Sequence, residues 1–125
     1  MNAVTCSEAF VAIATGRLNE ISKFYEALLN SPPQIFRADV YAEFNLAGLK
    51  LGIFQPKGDG STEFLNSENS AMSLCLEVAD LEAAIAHLTQ LGYPPQSPVI
   101  EASHGRETYA YDPDGNRLIL HQTAS

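Results

Sequence analysis

Positive charge is scarce in this chain. Seven Lys+Arg stand against fifteen Asp+Glu, for a formal net charge of −8. A field of that sign repels a phosphate backbone and an anionic bilayer, and no basic stripe relieves it, so neither nucleic acid nor membrane is an expected partner. Cysteine is sparse too. Cys6 and Cys75 lie far apart and form no C-x-x-C or zinc pattern, which leaves two reduced thiols in a cytoplasmic protein as the expectation. Long apolar runs are also missing. No stretch approaches the ~18 residues of a spanning helix, and MNAVTCSEAF has neither the basic nor the apolar region of a secretory leader.

The chain does have the means to fold. It has 125 residues, 46% of them hydrophobic and 18% charged, which suits one domain spanning residues 1–125 and argues against disorder. Within it one unit is written twice. Phe10-Val-Ala-Ile-Ala-Thr15 alternates as a strand does and leads into LNEISKFYEALLN, where Leu18, Ile21, Tyr25 and Leu28 mark one helix face. Asn30 and Pro32-Pro33 stop that helix. Ser73-Leu-Cys-Leu-Glu-Val78 repeats the strand, Asp80 is a good N-cap, and Leu81, Ala84, Ile85, Leu88 and Leu91 line a second helix ended by Gly92. Gly48-Leu-Lys-Leu-Gly-Ile-Phe-Gln55 then matches Gly115-Asn-Arg-Leu-Ile-Leu-His-Gln122.

Each half has room for two further strands, QIFRADV and YAEFNLA in the first, SPVIEAS and ETYAYD around a His104-Gly105 turn in the second. The expected fold is therefore α+β, two βαβββ modules whose mixed sheets curl around a central concavity. Module one covers about 8–56, a Gly/Ser/Asn/Pro-rich linker about 57–70, and module two about 71–122. Phe64-Leu65 in the linker is a candidate lid contact.

One parity of the repeat strands is aliphatic and should pack beneath the helices. The other mixes apolar and polar groups, as suits a ligand cavity or a dimer surface. It carries the candidate ligand-binding residues Phe10, Lys50, Phe54, Ser73, Cys75, Glu77, Ile119 and His121. Tyr109 joins them, the pattern leaving open which of Tyr109 and Tyr111 reaches the cavity. His121 and Glu77 are candidate acid/base partners if they meet across that cavity. Cys75 is expected as a small buried strand residue, His87 as exposed, and His104 and Arg106 as a surface turn.

The twice-used unit, the strand-helix start ending in FYEALL and the stretch YDPDGNRLILHQ together resemble the vicinal oxygen chelate superfamily, the glyoxalase, bleomycin-resistance protein and extradiol dioxygenase group. The resemblance covers about residues 8–122. It implies a divalent ion held by His, Gln or Glu from the first and last strands of each half. Those positions fall here on Phe10, Gly52, Ser73 and Ile119, none of which is a usual metal ligand. The expectation is accordingly a metal-independent small-molecule-binding protein of the bleomycin-resistance type. It would need no cofactor, lean away from being an enzyme, and work as a cytoplasmic homodimer on an unidentified small molecule. The alternatives are a superfamily enzyme, a lyase, isomerase or dioxygenase, with a displaced or non-standard metal site, and a dimeric regulatory domain whose cavity is filled.

Overall fold

The computed structural model describes residues 4–124. Two open four-stranded sheets are built the same way, in the strand orders β1-β4-β3-β2 and β5-β8-β7-β6. In the first module β1 is Val11–Ala14, α1 Leu18–Leu29, β2 Ile35–Arg37, β3 Tyr41–Leu46 and β4 Leu49–Phe54. In the second, β5 is Ser73–Glu77, α2 Leu81–Leu91, β6 Ile100–Ala102, β7 Gly105–Tyr111 and β8 Arg117–Thr123. β1 pairs parallel with β4 and β5 with β8, while the remaining pairs are antiparallel. Between the modules, residues 58–69 carry two short 3₁₀ segments, Gly58–Phe64 and Ser67–Asn69.

The helices form where the apolar spacing puts them. Leu18, Ile21, Phe24 and Tyr25 of α1 are buried, as are Leu81 and Leu88 of α2. They pack on Leu51, Ile53, Leu118 and Leu120, the aliphatic side of the repeat strands. Full burial of one such side chain contributes ~1.5–3 kcal/mol. Asn30 and Gly92 close the two helices in the left-handed conformation, with φ of 51° and 92°. At the α2 entrance Asp80 accepts a hydrogen bond from Ala83 N at 3.0 Å.

The repeated glutamines have a structural role. Gln55 Oε1 accepts from Leu18 N at 2.9 Å, and Gln122 Oε1 accepts from Leu81 N at 2.7 Å. Each module thus ends by satisfying a free N–H at the start of its own helix.

The DPDGN turn joins the modules. Asp112 is buried, and its carboxylate accepts from Asp114 N, Asn116 N and Asn116 Nδ2 at 2.8–2.9 Å. Tyr25 of α1 donates to the same carboxylate at 2.7 Å. Burial, then Asp112, pushes the Tyr25 phenol well above its ordinary pKa. Arg17 adds an ion pair to Asp114 at 2.9 Å. His87, expected to be simply exposed, instead places Nε2 2.8 Å from Ala27 O and ties α2 to α1. Among the described residues no helix is long and apolar enough to cross a membrane.

Candidate metal centre

Strand register decides what meets on the face of the second sheet away from the helices. Glu77 pairs with His121, and His121 with Glu107, so the three lie in one row across β5, β8 and β7. The next rows are Cys75, Ile119 and Tyr109, then Ser73, Arg117 and Tyr111. Tyr109 and Tyr111 therefore share this face, being two residues apart, while Thr108 and Ala110 are buried on the other. His104 reaches the row from the β6–β7 turn. That turn needs Gly105, which has φ +144°; a side chain there would run into the backbone of Gln122.

His121 is held from one side. Its Nδ1 lies 2.7 Å from Glu77 Oε1, and the other carboxylate oxygen accepts from Thr123 N at 2.8 Å and Thr123 Oγ1 at 2.6 Å. The Thr123 hydroxyl and then His121 hold the Glu77 carboxyl below its usual range. An ionised carboxylate only accepts, so the proton of this contact sits on Nδ1, and in the neutral imidazole the lone pair is on Nε2. That Nε2 lies 2.9 Å from His104 Nδ1, with the two rings stacked at a centroid distance of 5.0 Å. Donor atoms of His104, Glu107 and His121 all lie within 4.8 Å of one another. Tyr109 Oη donates to Glu107 Oε2 at 3.4 Å.

This donor set fits a divalent ion. Two imidazoles and one carboxylate suit zinc, manganese or iron(II) and leave positions open for substrate. The nearest ring nitrogens of His104 and His121, 2.9 Å apart, are close enough for both to serve one ion. A carboxylate bound to the far nitrogen of a ligating histidine fixes its tautomer and raises its basicity, and Glu77 occupies that place.

The positions implied by the family resemblance do not fit. Phe10 is 48% exposed and offers no donor. Gly52 is covered: a Cβ there would stand 2.8 Å from Tyr41 Oη and 3.3 Å from the Phe10 ring. Ser73 Oγ already accepts from Arg117 at 3.0 Å, and Ile119 is half-buried. The candidate donors have a different origin: His104 from the β6–β7 turn, Glu107 from β7 and His121 from β8.

The other residues of the mixed parity are spread over both sheets. Lys50 pairs with Glu8 at 2.7 Å, and the Phe54 ring meets Phe64 edge-on at 5.2 Å. Cys75, expected to be buried, is exposed on the open face, and Cys6 is likewise exposed and free. His121 and Glu77 do meet, but as neighbours on adjacent strands rather than across a cavity. Arg106 turns to the helix side and clasps Glu82 at 2.6 and 2.8 Å, which lowers the Glu82 carboxyl to about 2. His104 does lie in an exposed turn, as the sequence suggests, and Glu107 is not among the residues the sequence singles out. The available signal for Glu107 was its shared parity with Tyr109 on a strand one turn away from the His121 strand.

The His104–Glu107–His121 cluster overturns the expectation that no cofactor is needed, because three side chains that could hold a metal ion converge outside the positions the resemblance implies. The fold has solved relatives. A glyoxalase/bleomycin resistance protein from Catenulispora acidiphila is 20% identical over 93% of this chain and 97% of its own, with a TM-score of 0.68. A glyoxalase-related enzyme from Fulvimarina pelagi is 19% identical over 94% and 89%, with a TM-score of 0.75. A mutant of the fosfomycin resistance protein FosX from Listeria monocytogenes, complexed with Mn(II) and 1S,2S-dihydroxypropylphosphonic acid, is 18% identical over 94% and 90%, with a TM-score of 0.72. At such identities the likeness is one of fold. No curated protein matches the chain.

The expectation of a metal-independent binder that leans away from catalysis is corrected on these findings. The chain has its own His–Glu–His group that could hold a metal ion, which the displaced-metal alternative accommodates and the metal-independent reading does not. The model of the Glyoxalase/Bleomycin resistance protein/Dioxygenase superfamily matches residues 9–120, and the chain belongs to that superfamily.

Proposed function

We propose that this chain is a divalent-metal-dependent enzyme acting on a small oxygen-bearing molecule, with His104, Glu107 and His121 as the ligands. The observation that carries the proposal is the convergence of their donor atoms within 4.8 Å, beside a Glu77 carboxylate bound to the far nitrogen of His121. A bound ion would supply Lewis acidity toward a substrate oxygen. FosX, a relative in fold, has been solved with Mn(II) and a small hydroxylated phosphonate, which is the class of chemistry suggested here.

The chain's own groups do the rest. Glu77 holds His121 in one tautomer and one orientation. Tyr109 places a hydroxyl beside Glu107 and, with Ser73, Cys75 and Ile119, lines the face on which a substrate lies. Phe10, Lys50 and Phe54 belong to the corresponding region of the first sheet and would take part only if the substrate spans both modules. The unpaired cysteines suit a reducing cytoplasm. Exposed Phe10, Phe36 and Ile100 are apolar surface that a homodimer would cover.

The test is turnover of a panel, an epoxide phosphonate, a hemithioacetal and a catechol, with Mn(II), Fe(II) or Zn(II) added to chelator-stripped protein. Metal-dependent turnover of one class, lost in Glu107→Gln with the fold intact, is expected. Turnover that is independent of metal, or unchanged in that variant, would reject the assignment.

A further inference from the structure

A second feature lies away from the metal cluster. Between the modules is a cavity of about 270 Å³, lined by Ile13 and Ala14 from β1, Leu74 from β5, and Arg117 from β8. Its strand walls combine the aliphatic parity, Ile13 and Leu74, with the other one, Ala14 and Arg117. At ~30 Å³ per water it has room for about nine waters, or an organic molecule of about ten non-hydrogen atoms.

The segment after the first 3₁₀ turn straps over this cavity and is fastened at both ends. Phe64 packs edge-on against Phe54 of the first module. Ser70 O accepts from Arg117 Nη1 at 3.2 Å and Nη2 at 2.9 Å in the second. Phe64, Leu65 and Met72 line the cavity yet are large, exposed apolar side chains, Leu65 at 67% and Met72 at 73%. Three such residues grouped at one opening mark a binding site more often than chance surface.

Arg117 gives the site its charge preference. Its guanidinium has five N–H donors. Nη1 serves Ser70 O and Ser73 Oγ, and Nη2 serves Ser70 O. Among the described residues nothing accepts from Nε or from the second Nη2 hydrogen, and no carboxylate pairs with the side chain. The free Nε/Nη2 edge is the one that binds a planar carboxylate through two parallel hydrogen bonds. A single cation in a chain of net charge −8 favours a monoanion over a dianionic phosphate.

We propose that this cavity binds an apolar monocarboxylate of about ten non-hydrogen atoms, its carboxylate on Arg117 and its tail beneath the Phe64–Met72 strap. His121 is four residues along β8 from Arg117, ~13 Å at strand rise, so this site is centred away from the metal cluster, with Ser73 bordering both, and does not depend on the metal assignment.

Octanoate and 1-octanol, matched in tail length and differing in charge, are titrated into the full chain in EDTA by calorimetry, with amide chemical shifts recorded in parallel. EDTA prevents a bound ion from taking the carboxylate. Octanoate should bind at least tenfold more tightly than octanol and shift residues 12–14, 64–65, 73–74 and 116–118. Arg117→Gln should remove the preference while leaving octanol unchanged. Ala14→Leu, which fills the cavity without touching Arg117, should weaken both probes at least tenfold in a chain whose amide spectrum remains folded. Equal affinities, shifts confined to the His104–His121 region, undiminished binding in Ala14→Leu, or no binding of either probe would overturn the proposal.

Discussion

His121 Nδ1 lies 2.7 Å from Glu77 Oε1, on neighbouring parallel strands in direct register. The contact leaves Nε2 free to face His104 and Glu107. Replacing Glu77 by Gln allows the imidazole to change tautomer and removes the charge behind it. Metal affinity should fall by about 10–100-fold, the usual loss when such a partner is removed. Competition titration with a chromogenic chelator measures it; unchanged affinity would show that Glu77 does not position the ligand.

Gly105 predicts a coupled loss. Its φ of +144° and its approach to the Gln122 backbone leave no room for Cβ. Gly105→Ala should cost about 1–3 kcal/mol of stability from the backbone conformation alone, and His104 should move away from His121. Urea unfolding and the same metal titration would both register the change. A variant of normal stability and affinity would contradict the turn geometry.

The paired glutamines make a prediction about the repeat. Gln122→Ala and Gln55→Ala each leave a helix-start N–H without its acceptor, at a cost of about 1 kcal/mol each. Lying in different modules, the two should add in the double variant. Chemical denaturation reads this directly.

That pair shows how far the sequence reached. Gln55 and Gln122 end matching octets, and the match was visible because local pattern repeats along the chain. The aliphatic parity of Leu51, Ile53, Leu118 and Leu120 was visible for the same reason, strand faces alternating with period two. His104 and Glu107 were hidden because their position depends on cross-strand register. Whether Glu107 or a neighbour stands opposite His121 is set by the turn at Gly105, and no periodicity encodes it. The same holds for Glu77, which the pattern sets across a cavity from His121 and the register sets beside it. The Arg117 edge was less legible still, since its acceptors Ser70 and Ser73 lie far from it in sequence.

Tyr25 and Asp112 should give an alkaline signature. Tyr25 is buried with its phenol pKa raised well above 10. The unfolded chain loses that proton near pH ~10 while the folded chain keeps it. Stability from this group is thus fully present below pH ~10 and falls above it, approaching ~1.4 kcal/mol per pH unit until the folded phenol titrates. Tyr41, raised to about 12 by burial and Glu43, adds a loss of the same sign between about pH 10 and 12. Tyr25→Phe should lose ~1.5–3 kcal/mol at neutral pH and show a shallower decline above pH 10. An equally steep decline in the variant would assign the effect elsewhere.

The central claim is that His104, Glu107 and His121 form one metal site. Calorimetric titration of Mn(II) and Zn(II) into chelator-stripped, tag-free protein tests it most directly, alongside His104→Ala, Glu107→Gln and His121→Ala. One ion per chain is predicted, with binding weakened in every single variant. No stoichiometric binding, or a site that survives all three substitutions, would contradict it.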